Sequence, residues 1–229
     1  MDAYKLARIS EDKNTVGCEI YFDENYVNSL DGSTTTTPKA AVKTAPVDRS
    51  STLRREALFL HKLRGNPYIV EYYGEDVSFD ENDDGYAYNL LMEYAPGGLL
   101  KELIASYEDI MPKALAACYA YMLLKAISFV QDNDIVHCDI KPENVPFFPT
   151  TNGYLDHLKL ADFGVSKNVS DDIVGAWGTE EYLSPKSVKH EIQGKAADIW
   201  AFGCTVLEML NGGKDILGLK EEEHEAGDT

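Results

Sequence analysis

Two carboxylates on adjoining loops constrain this chain more than any other feature. His137-Cys138-Asp139-Ile140-Lys141-Pro142-Glu143-Asn144 is followed, on the next hairpin, by Asp162-Phe163-Gly164. The first stretch carries an aspartate, a lysine two residues on and an asparagine five residues on, and the second carries another aspartate. Phosphoryl transfer from a magnesium-bound nucleoside triphosphate needs that set. A hydroxyl nucleophile must be held in line with the γ-phosphate while its proton is accepted, which makes Asp139 the candidate base. Mg²⁺ takes hard oxygen ligands, which Asp162 and the amide oxygen of Asn144 can supply from their two loops. Lys141 can neutralise the γ-phosphate. Either tripeptide alone reads as an ordinary turn between strands, but the ordered set asks the fold to bring both loops to one metal.

Composition narrows the classes. Of 229 residues 44% are hydrophobic and 10% aromatic, enough to bury one or two cores. Lys and Arg number 21 against 39 Asp and Glu, a formal −18, which argues against nucleic acid or an anionic membrane as partner. No apolar run reads as long enough to span a bilayer, and Met1-Asp2-Ala3-Tyr4-Lys5 lacks the basic-then-apolar form of a signal peptide. The expected address is the cytoplasm, with the nucleus left open. Cys18, Cys118, Cys138 and Cys204 are far apart and form no C-x-x-C pair, so they read as reduced packing residues rather than a zinc site or disulfide framework. Asp80-Glu81-Asn82-Asp83-Asp84 and Glu221-Glu222-Glu223 read as solvated faces.

Residues 40–93 read as a small sheet with one helix. Ala40-Ala41-Val42-Lys43 looks like a strand end, and residues 48–63 carry Leu53, Ala57 and Leu60 at helical spacing behind the cap candidates Ser50 and Ser51. Glu56 lies on that apolar face, where a carboxylate is costly unless paired, so a Lys43–Glu56 ion pair is the economical reading beside a solvated Glu56. Residues 68–73 and 86–94 read as strands around the acidic loop, and Ala95-Pro96-Gly97-Gly98 breaks the pattern as a hinge would. Beyond it, Leu115, Tyr119, Met122, Leu123, Ala126, Ile127 and Val130 mark one long amphipathic helix. Residues 196–210 are apolar on nearly every side, which predicts a helix buried all round. Thr34–Thr37 reads as a loop.

The stretches AVK, LRREALFLHKL, PYIVEYYGEDV, YNLLMEYAPGG, IVHCDIKPENV, KLADFGVSK, GTEEYLSP and ADIWAFGCTVLEML together resemble serine/threonine protein kinases, and over residues 40–212 plant mitogen-activated protein kinase kinase kinases of the MEKK-like type. The resemblance implies an α+β, two-lobed fold: a small β-rich N-lobe with one regulatory helix over residues 40–94, and a mainly helical, incomplete C-lobe over 95–212. Residues 1–39 would form a divergent segment that replaces or lacks the Gly-rich hairpin, and 213–229 an acidic tail. ATP and Mg²⁺ would occupy the cleft. Lys43, held by Glu56, would meet the α/β-phosphates, Met92 would stand as gatekeeper, and Ala41, Pro146 and backbone groups of Glu93 and Ala95 would surround adenine. Asp198 would brace the catalytic loop, and Lys141 with Thr179 is the serine/threonine form of the motif. The implied partners are ATP and a protein substrate, a MAP kinase kinase, with no nucleic acid and no membrane.

The sequence departs from that family in five places. Nothing between Met1 and Lys39 matches G-x-G-x-x-G, the motif that lets backbone close over phosphates. The chain stops 17 residues after Gly212 where the family continues into further helices, and Lys186 follows Pro185 where the family has a glutamate. That combination reads as a divergent or truncated product whose apolar helix is partly bare, open to a partner or to self-association. Pro146 replaces an aliphatic residue beneath adenine and withdraws an N–H. Cys138 replaces the arginine that pairs with a phosphorylated activation loop, so control at that position is not expected. The leading expectation is an ATP-dependent protein serine/threonine kinase in a MAP kinase cascade. The alternative is a non-catalytic kinase-like interaction module or a kinase fragment.

Overall fold

The computed structural model describes residues 19–23, 40–80, 85–107, 110–150, 156–171 and 175–213. Four antiparallel strands form its sheet: β1 (Glu19–Asp23), β2 (Ala40–Pro46), β3 (Tyr72–Asp80) and β4 (Gly85–Glu93), in the order β1-β2-β4-β3. Lys43 lies opposite Leu90 in the middle of β2, not at a strand end as the sequence suggested. Side chains alternate along a strand, so Lys43 shares a face with Ala45. Ala45 packs in one core with Leu53, Ala57 and Leu60 of α1 (Ser51–Lys62), which lays α1 on that face. The predicted i, i+4, i+7 spacing therefore does point the buried side of α1 at the sheet.

Three local expectations fail. The strand expected at 68–73 begins at Tyr72, because residue 160 takes the preceding backbone: Val70 N–H donates to the Leu160 carbonyl at 3.0 Å and Leu160 N–H to the Tyr68 carbonyl at 2.8 Å. A bulge between Tyr72 and Gly74 then sets the register with β4. The helix expected from 48 begins at Ser51 behind a short 3₁₀ turn, Val47–Arg49. Ser50 does not cap it through its side chain; its hydroxyl instead donates to the Val47 carbonyl and accepts from Arg54 Nε at 2.9 Å.

Below the sheet the chain is mainly helical: α2 (Leu100–Ala105), α3 (Lys113–Asp132), α4 (Pro185–His190) and α5 (Lys195–Asn211). Two short two-stranded sheets lie between α3 and α4, β5 (Ile135–Val136) with β8 (Lys167–Asn168) and, between them in the chain, the hairpin of β6 (Phe147–Phe148) with β7 (His157–Leu158). The N–H groups of Gly97 and Phe147 donate to the carbonyls of Phe147 and Gly98 respectively, which ties the expected hinge to the first strand of the β6–β7 hairpin. By length and composition alone the 20-residue α3 is apolar enough to cross a membrane, which corrects the reading that no run approaches that length. Its face of Tyr119, Met122, Leu123, Ala126, Ile127 and Val130 is built into the core.

The prediction that residues 196–210 are buried all round is overturned. α5 buries a single stripe, Asp198, Ala201, Thr205 and Met209, against α3, β5 and the turn at Glu180–Tyr182, while Ile199, Trp200, Leu207 and Leu210 are exposed. Apolar character records what a face tolerates, and here nothing among the described residues covers the second face. Cys118 is exposed rather than packed, whereas Cys138 is buried. Cys18, Thr34–Thr37, residues 81–84 of the acidic loop and Glu221-Glu222-Glu223 lie outside the described residues.

Candidate active site

The site grows from the loop after β5. Cys138 has φ 72°, a left-handed backbone that a side-chain-bearing residue adopts only when its surroundings hold it. The holder is Asp198 in the first turn of α5, whose two carboxylate oxygens accept the N–H groups of His137 at 2.9 Å and Cys138 at 3.0 Å. Asp198 is 1% exposed, and burial raises its pKa against the pull of those donors. The Asp139 N–H donates to His137 Nδ1 at 3.3 Å, and Nε2 lies 2.9 Å from the Ala161 carbonyl. One imidazole thereby joins the Asp139 loop to the residue before Asp162.

Asp139 sits in a nest of donors. Its Oδ1 accepts the Thr179 N–H at 2.9 Å and the Thr179 hydroxyl at 2.8 Å, and its Oδ2 accepts Asn144 Nδ2 at 2.8 Å. Lys141 Nζ stands 3.3 Å from Asp139 Oδ2 and donates to Thr179 Oγ1 at 2.5 Å. Asp139, Lys141, Asn144 and Thr179, 40 residues apart at the extremes, are thus one constellation. Asn144 Nδ2 also donates to the Asp139 carbonyl at 2.7 Å, which turns the amide oxygen to the other side. Cys138 itself is pushed up to about 12, chiefly by burial, and stays a neutral thiol.

The second constellation spans the sheet and the next loop. Lys43 Nζ lies 2.7 Å from Glu56 Oε1 and 3.1 Å from Asp162 Oδ1, so the ion pair expected from the sequence is present and Asp162 shares its lysine. Glu56 is raised because burial disfavours its charge, with Lys43 pulling the other way, whereas Asp162 is lowered, first by Lys43. Asp162 has φ 61° and Phe163 is fully buried, its ring meeting the His137 ring edge-on at 4.7 Å between centroids. The oxygens of Asp162 and Asn144 are hard donors that suit a small divalent cation. Among the described residues no group of three His, Cys, Asp or Glu could hold a metal alone, so such an ion would also need phosphate oxygens.

The remaining expected residues line up along the hinge. Ala41 pairs with Met92 across β2 and β4, and Met92 is buried. The Glu93 N–H is taken by the Glu71 carbonyl at 2.9 Å, so of the Glu93 backbone groups offered to adenine the carbonyl remains. The Ala95 carbonyl accepts Gly98 N–H at 3.3 Å, which leaves the Ala95 N–H. Pro146 is buried beneath, bridged to Leu99. Some contributors were not foreseen. Lys159 Nζ lies 2.6 Å from Glu93 Oε2 and over the Phe148 ring, bracing the hinge. Ser166 donates to the His137 carbonyl at 3.0 Å and its own carbonyl accepts Arg55 of α1. Gly178 has φ 105°, and an added Cβ would overlap the Cys138 carbonyl. The glycine before Thr179 was the one available signal.

Comparison with known proteins agrees with this geometry. The protein kinase domain family matches residues 30–227. Mitogen-activated protein kinase kinase kinase 18 of Arabidopsis thaliana is 37% identical over 183 residues, covering 78% of this chain and 52% of that protein. Kinase 17 of the same series and organism is 38% identical over 173 residues, covering 75% and 45%. Mitogen-activated protein kinase kinase kinase 5 of Homo sapiens is 34% identical over 194 residues, covering 81% of this chain and 13% of that protein. The chain spans about half the length of the two Arabidopsis relatives.

Proposed function

The chain belongs to the protein kinase domain family, and from that premise we propose that it transfers the γ-phosphoryl group of ATP to a serine or threonine hydroxyl of a protein, with a mitogen-activated protein kinase kinase as substrate class. The observation that carries this is the placement of Asp139. Its carboxylate is fixed by three donors, with Lys141 beside it and the Asp162–Lys43–Glu56 line across the site. The names of the relatives support the substrate class.

The residues divide the work. Lys43, oriented by Glu56, binds phosphate oxygens, and the Glu93 carbonyl with the Ala95 N–H offers an acceptor and a donor to the adenine edge. Asp139 accepts the proton of the incoming hydroxyl, whose approach Thr179 and Lys141 orient. Lys141 meets the charge of the transferring group. Asp162 and Asn144 would hold Mg²⁺, which when bound neutralises the phosphate charge. Catalysis of this kind is mostly positioning and electrostatics.

A second reading, nucleotide binding without transfer, is favoured by one observation: no G-x-G-x-x-G motif lies between Met1 and Lys39. Thermal stability measured with ATP, with and without Mg²⁺, tests binding, since a ligand at 100 times its Kd adds about 2.7 kcal/mol. Transfer of labelled phosphate to a MAP kinase kinase then separates the two. Stabilisation without transfer supports the second reading, and neither response refutes both.

A further inference from the structure

Gln193, on the loop between α4 and α5, is 5% exposed and ties three segments together. Its Oε1 accepts the Trp177 N–H at 2.8 Å, and its Nε2 donates to the Trp177 carbonyl at 2.6 Å. Nε2 also reaches the Cys138 carbonyl at 3.5 Å. The orientation of this amide is forced, because a backbone N–H can only donate and a carbonyl only accept. Trp177 lies two residues before Thr179, and Cys138 is the residue before Asp139. Between them Gly178 runs so close over the Cys138 carbonyl that no side chain fits. One buried amide therefore spans the gap whose width sets the Thr179–Asp139 hydrogen bonds.

We propose that Gln193 is a positioning residue that holds residues 177–179 over residues 138–139, so that Thr179 stays on Asp139 and the acceptor hydroxyl meets the carboxylate in line. The proposal rests on the phosphotransfer reading for its kinetic consequence, and on hydrogen bonds alone for its structural one. It separates Gln193 from the nucleotide side of the site, to which the amide makes no bond. Misplacement of about 1 Å by a change outside the reacting groups costs on the order of 10²-fold in rate.

Two variants and one reporter test it. Gln193→Leu removes both bonds to Trp177, and Gln193→Glu keeps the shape but turns a carboxylate on two carbonyls. Both should lower kcat by about 10²-fold while leaving the Kd for Mg-ATP unchanged, and neither should lose more when combined with Thr179→Ala. Retained Mg-ATP affinity also shows that a variant has folded, and where the Leu variant fails that check the Glu variant carries the test. The chain has two tryptophans, so in a Trp200→Phe background Trp177 alone reports. Acrylamide quenching should then increase in Gln193→Leu. Wild-type kcat in Gln193→Glu, or unchanged quenching, overturns the proposal. An inactive parent whose Trp177 still loosens counts against the phosphotransfer reading and supports the clamp.

Discussion

The sheet side of the site is held by charge and the loop side by hydrogen bonds. On the sheet side two carboxylates share Lys43, and they titrate in opposite directions: burial lifts Glu56, while the lysine holds down Asp162, whose side chain is 42% exposed. On the loop side Asp139 accepts from Thr179 twice and from Asn144, and the loop beneath it hangs on Asp198. A charge pair in low dielectric is strong but indifferent to angle, whereas hydrogen bonds fix direction. The difference fits the roles proposed for the two sides. Phosphate oxygens can be attracted from several directions, but a proton must be accepted from one.

The comparison breaks most visibly at Asp139. Asp139→Asn should reduce phosphate transfer by about 10²–10⁴-fold and leave the Kd for ATP within error; normal turnover in a coupled assay would remove the base from the loop side. Lys43→Met strikes the other side. It strands a buried carboxylate, so denaturant unfolding near pH 7 should show a loss of about 3 kcal/mol, together with weakened ATP binding. That loss should shrink on acidification, as Glu56 takes up a proton.

Asp198→Asn should cost about 1–3 kcal/mol, because an amide can accept only one of the two N–H groups while presenting its own NH₂ to the other. Activity should fall with little change in ATP affinity, as the left-handed Cys138 relaxes. A variant as stable and active as the parent would mean that the loop holds itself.

The smallest effect separates the two carboxylates by pH. The folded pKa of Glu56 lies above its ordinary 4.5, so the folded state binds the extra proton and stability falls as pH rises from 4.5 through the raised value. Asp162 has the opposite sign: its contribution is present above 3.8 and is lost as pH falls through the lowered value. Subtracting the melting profile of Glu56→Gln from that of the parent should expose a declining contribution above pH 4.5. A flat difference would place Glu56 in water.

Much of the site was legible because its chemistry is written in residue type and short spacing. Asp139, Lys141 and Asn144 lie within six residues, and Lys43–Glu56 followed from the penalty for an unpaired carboxylate on an apolar helix face. The same reasoning failed on α5, where apolar pattern was taken for burial and Trp200 and Leu207 proved exposed. It failed on residues 68–70, whose backbone partner is residue 160, and on Ser50, whose hydroxyl serves Val47 and Arg54 rather than the helix end. In each case a distant or competing partner decided, and spacing is silent about those.

By itself the sequence determined which groups the molecule has: two loop carboxylates, an asparagine, two lysines, and helix faces apolar enough to hold them. Only the tertiary structure decided that Lys43 serves both Glu56 and Asp162, that His137 links the Asp139 N–H to the Ala161 carbonyl, and that Gln193 binds residue 177 to residue 138. The physical reason is range. Residue type and local periodicity act along the chain, but hydrogen-bond partners and the desolvation that moves a pKa depend on distance and burial in space, which neighbours in sequence do not specify.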